Sequence, residues 1–83
     1  MIDRNLQPVQ WSEFMCELED AKEHLANLIK EIEEDVTYDE NNLRIDLGHV
    51  YAHLNRAWRR SMRALDRGDR DFASRFPDDL KPI

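Results

Sequence analysis

The chain has 83 residues, with 12 Lys and Arg against 18 Asp and Glu and a formal net charge of −6. That length allows one domain. Only 2 Gly and 3 Pro argue against a turn-rich β fold. Its longest apolar runs are two or three residues, far below the roughly 20 of a membrane span.

Residues 1–11 read as a polar, extended N-terminal arm around Pro8, without the basic start and apolar run of a signal peptide. Helix 1 is predicted over residues 12–36, with Ser12 as N-cap and Glu13 at the positive end of the helix dipole. Its apolar residues Phe14, Leu18, Ala21, Leu25, Leu28 and Ile32 step by alternating fours and threes. That is a heptad seam, centred near Phe14 and Leu25. Met15, Ile29 and Val36 widen it, and a wide stripe wants more than one neighbouring helix.

The polar stretch Thr37–Asn42 is a connection. Helix 2 can begin anywhere between residues 40 and 47. Asp39, Asn42 and Asp46 all compete as cap, and the range 46–67 is preferred with Asp46 capping. Leu47, Val50, Tyr51, Leu54, Ala57, Trp58, Ser61, Met62 and Leu65 form its apolar face. Gly68 follows as a C′ residue. Residues 69–83 read as an ordered extended strap, with Phe72, Phe76 and Leu80 packing on the helices.

The fold expected is therefore all-α, an antiparallel two-helix hairpin forming a single domain over residues 1–83. Cys16 is the only cysteine, so no intrachain disulfide can support so small a core, and oligomerisation is the remaining staple. Two helices cannot cover both faces, which points to a homodimer closing into a four-helix bundle. Residues 11–40 hold 11 acidic and 2 basic side chains, and residues 41–70 hold 7 Arg and 3 Asp. In an antiparallel hairpin this charge split sets Glu17 and Asp20 opposite Arg60, which selects register more than it adds stability.

Several constellations bear on chemistry. His49 and His53 stand four residues apart on helix 2, and His24 approaches His53 across the hairpin, one turn beyond Asp20. Asp20, His24, His49 and His53 are thus conceivable metal ligands. His49, however, projects about 140° from the seam centre near Leu54. The expectation is surface histidines, no cofactor and no stoichiometric metal. The alternative is a metal-binding or metal-dependent helical-bundle protein using Asp20, His24 and His53. Glu31 through Asp35 superficially resembles the Glu-x-x-Glu ligand pairs of magnesium-dependent all-α nucleotide pyrophosphohydrolases. Helix 2 lacks the second acidic pair those enzymes need, so that chemistry is not carried over.

Arg56, Arg59, Arg60 and Arg63 form the one basic run, with Trp58 turned toward the seam. The acidic remainder of the chain argues against nucleic acid or an anionic membrane as partner. Cys16 lacks a neighbouring base and reads as a bystander thiol. No Gly-rich phosphate loop or serine-nucleophile motif occurs. The reading is a small cytoplasmic protein–protein interaction or regulatory module without catalytic activity. Arg56, Arg59 and Arg63 are its expected partner-binding face.

Overall fold

The computed structural model describes residues 1–83 and is all-helical. Two long helices, α1 (Pro8–Glu34) and α2 (Glu40–Arg60), pack as an antiparallel hairpin. A 3-10 turn at Arg67–Asp69 leads into one helical turn, α3 (Arg70–Ala73), and the tail folds back over α2. No helix is long and apolar enough to cross a membrane.

Helix α1 starts a full turn earlier than the Ser12 cap implied. Pro8 occupies the first turn with Gln7 as N-cap, a position where proline's missing N–H costs nothing and its fixed φ is already helical. The residues ahead of it are not extended. Asp3 Oδ1 accepts from the Asn5 and Leu6 amides (2.8 and 2.9 Å), and the Gln7 amide donates to the Asp3 carbonyl. Ile2 is buried, and its amide donates to Ser61 O at the far end of α2 (2.7 Å).

At the other end α1 stops at Glu34, leaving Val36 in solvent. Asp35 Oδ1 accepts from Thr37 Oγ1 (2.6 Å) and the Thr37 amide (2.9 Å). These two bonds, the hydroxyl's first, hold its carboxyl below the ordinary range. Helix α2 then begins at Glu40 rather than 46, because Asp39 wins the capping competition. Its carboxylate accepts from the Asn41 and Asn42 amides, while Asn42 Oδ1 accepts from the Asp39 amide, a reciprocal capping box. Asp46, released from that role, accepts a 2.7 Å hydrogen bond from the Tyr38 hydroxyl. Partial burial, followed by this bond, pushes the Tyr38 phenol up to about 12.

Helix α2 ends at Arg60, not 67. Ser61 Oγ turns back to Trp58 O (2.5 Å), and the chain leaves so that the tail can return along the helix. Gly68 lies in the 3-10 turn and does not adopt the left-handed conformation of a C′ glycine. The expected extended strap is thus partly helical, and α2 side chains hold it. Asn55 Nδ2 donates to Ser74 O (2.8 Å), Arg56 Nη1 to Ser74 Oγ (2.7 Å), and Arg59 Nη1 to Ala73 O (2.7 Å). Ala73 is fully buried beneath these bonds. Phe76 meets Tyr51 edge-on at 5.1 Å, and Trp58 Nε1 donates to Asp79 Oδ1. Phe72, Phe76 and Leu80 nevertheless stay about half or more exposed.

The helix interface does not use the centre of the apolar stripe. Its buried residues are Glu17, Ala21 and Leu28 on α1 and Val50, Arg56 and Ala57 on α2, with Leu43 and Leu47 packed alongside. The pairing is rotated toward the charged flank by about 50° on α1. Ala21 packs there with Leu28 and Val50, and Glu17 finds its charged partners there. Rotation leaves the other edge of the stripe uncovered: Leu18, Leu25, Ile29 and Ile32 of α1, and Tyr51 and Leu54 of α2. No large side chain is fully buried.

Candidate functional site

The charged flank runs as a ladder between the two helices. Glu13, Glu17, Asp20 and His24 follow one edge of α1, and His49, His53, Arg56 and Arg60 follow the facing edge of α2. These residues recur at threes and fours, the spacing that keeps side chains on one helix face. Arg60 Nη1 donates to Glu13 Oε2 at 3.1 Å, and its Nε, which has no hydrogen-bond partner, lies 3.7 Å from Glu17 Oε2. The charge split predicts Glu17 and Asp20 opposite Arg60; Glu17 does lie there, but Glu13 takes the place of Asp20, which sits one turn further along beside His53.

Glu17 is the centre of the ladder. Its side chain is 10% exposed and its Oε2 accepts from Arg56 Nε at 2.5 Å. Its Oε1 lies 3.2 Å from His53 Nδ1. Arg56 Nη2 lies 3.0 Å from that same ring nitrogen. A carboxylate only accepts and a guanidinium only donates, so Nδ1 bonds one or the other according to whether it carries the proton. Asp20 completes the group: Glu17, Asp20 and His53 each bring a ligand-capable atom within 4.8 Å of the others.

The histidines gather at the end of the ladder nearer the connection between α1 and α2. His24 stacks on His53 with ring centroids 5.0 Å apart and an interplanar angle of 23°. His49 stands 5.7 Å from His24. His49 does not swing away from the pairing because the rotated interface carries its edge of α2 toward α1. The 140° projection is reckoned from Leu54, whereas the buried line runs through Val50 and Ala57.

The basic run is dispersed. Arg56 is 5% exposed and spends its guanidinium on Glu17 and Ser74. Arg59 donates to two tail carbonyls, Ala73 O and Arg75 O, and lies 4.9 Å above the Phe72 ring. Only Arg63 stands in solvent, with Asp69 at 3.5 Å. A wheel of α2 alone points Arg56 outward, but its long side chain reaches round the helix to groups the wheel omits. Arg56 and Arg59 therefore clamp the fold, and the exposed cation of the expected face is Arg63. Cys16 is exposed on α1.

Glu17 is the residue that reading the chain alone passed over as a ladder charge. Its signal was present in the spacing: it lies one turn from Asp20 on the edge that meets His53. No protein-family model, curated protein or solved structure matches this chain.

Proposed function

We propose that the protein is a self-associating helical interaction module. In this reading two copies pair through the uncovered apolar edge to form a four-helix bundle, and the charged ladders face outward, open to a protein partner. The observation that carries it is the surface. The chain exposes 6612 Å², whereas a folded monomer of 9.9 kDa exposes about 5,200 Å². The excess, about 1,400 Å² per chain, is what an obligate homodimer interface covers, since such interfaces bury ~2,000–5,000 Å² in total. A radius of gyration of 14.6 Å, against ~12 Å for a compact chain of this length, fits an elongated hairpin with one face left for a second copy.

The geometry suits a second copy. Leu18, Leu54 and Trp58, with Phe14 and Leu80, line a shallow apolar groove between the helices. Leu25, Ile29 and Ile32 continue its face along α1. The face is apolar along its middle and nearly free of charge, as the seam of a bundle must be. Catalysis has no constellation in support of it. Unfolding in urea, followed across a hundredfold range of chain concentration, tests the reading. Coupled folding and assembly raise the midpoint with concentration. A midpoint independent of concentration refutes it.

A further inference from the structure

We propose that the histidine end of the ladder is a binding site for a borderline divalent transition-metal ion of the zinc class, with His24, His49 and His53 as nitrogen ligands and Asp20 as the oxygen ligand. The spacing of the rings is the first argument. Zinc–imidazole bonds are about 2.0–2.1 Å, so two imidazoles at tetrahedral positions on one ion have centroids about 5 Å apart. The centroid separations are 5.0 Å for His24 and His53 and 5.7 Å for His24 and His49. His24 and His49 are exposed, so their rings can turn onto an ion without disturbing the core.

The second argument is what stands behind His53. A metal-bound imidazole ordinarily donates its other ring N–H to a carboxylate or carbonyl, which fixes the tautomer. Of the two partners of His53 Nδ1, Glu17 Oε1 at 3.2 Å can accept that proton, and in this tautomer Arg56 Nη2 gives up its bond to Nδ1 and Nε2 keeps a free lone pair. Arg56 locks Glu17 in this position through its other oxygen. Glu17 is thus a positioning residue, and the buried pair under the cluster acquires a purpose beyond cohesion.

Charge is compatible. Glu13, Glu17 and Asp20 outnumber Arg56 and Arg60 along the ladder, so a dication enters a region of net negative charge. The site is on the flank opposite the apolar groove, and a second copy seated there leaves it open. Three nitrogens and a carboxylate favour zinc, nickel or copper over magnesium or calcium, which prefer all-oxygen sites.

The test is calorimetric titration of the full chain, without a histidine tag, with zinc chloride, alongside the visible spectrum of the cobalt-loaded protein. One ion per chain is expected, with tetrahedral cobalt bands. His49→Ala and His24→Ala, both at exposed positions, should keep parental helicity by circular dichroism and lose stoichiometric binding. Glu17→Gln should weaken affinity by about 10–100-fold. If that variant unfolds, the two exposed histidine variants still decide. No uptake of zinc at micromolar concentration overturns the proposal, and so does uptake that His24→Ala and His49→Ala leave unchanged.

Discussion

Replacing Arg56 by alanine should be the most damaging single change to the ladder. The guanidinium makes a 2.5 Å bond to Glu17 and a 2.7 Å bond to Ser74. Its loss strands a carboxylate that is only 10% exposed. Breaking a buried ion pair from one side costs about 3–5 kcal/mol. Arg60, 3.7 Å from the same oxygen, offsets part of that, so about 3 kcal/mol is expected. Against a total stability of ~4–12 kcal/mol for a chain this size, that is a large fraction. Arg63→Ala removes an equal charge from an exposed position and should stay within about 0.5 kcal/mol. Arg56→Lys should not rescue, because one ammonium cannot span Glu17 and Ser74 together. Replacing both Glu17 and Arg56 by Met should recover much of the loss, since no charge is then left buried. Urea denaturation at one fixed chain concentration measures all four. An Arg56→Ala cost below about 1 kcal/mol would refute the clamp.

Three further outcomes are expected. Gly48→Ala, in the interior of α2 with open space where its Cβ would stand, should stabilise by about 0.5–1 kcal/mol in the same assay. Asp39→Ala should cost ~0.5–2 kcal/mol by removing the capping box of α2, and a loss no larger than that of Asp46→Ala would contradict the assigned helix start. Ultraviolet titration should show Tyr38 ionising near 12 rather than at the ordinary 10.0. The neutral phenol is the form that folding favours, so its contribution is complete below pH 10 and is lost as pH rises through about 12. Asp46→Asn should bring the midpoint back toward 10.

Periodicity and charge made the hairpin legible. The threes and fours of both helices and the opposed signs of their flanks suffice to derive an antiparallel pair in the register that sets Arg60 beside Glu17. Helix ends were harder, because several caps of similar strength compete and only tertiary context decides among Asp39, Asn42 and Asp46. Pro8 was a usable signal for the α1 start, since proline at a first helical turn is favoured. The early end of α2 depends on the returning tail, which no local pattern encodes. Arg56 and Arg59 were misplaced for the same reason: their partners, Glu17 and the Ala73–Arg75 backbone, lie far away along the chain. The histidine cluster was legible as a set, while the position of His49 required knowing that the buried line of α2 runs through Val50 and Ala57 rather than through Leu54.

Sedimentation equilibrium of the unmodified chain at micromolar concentration bears on the assembly itself. The uncovered edge through Leu18, Leu25, Ile29 and Leu54 predicts a species of twice the 9.9 kDa chain mass, reduced to a single chain by Leu25→Glu. A folded, helical species of 9.9 kDa for the unmodified chain would contradict it.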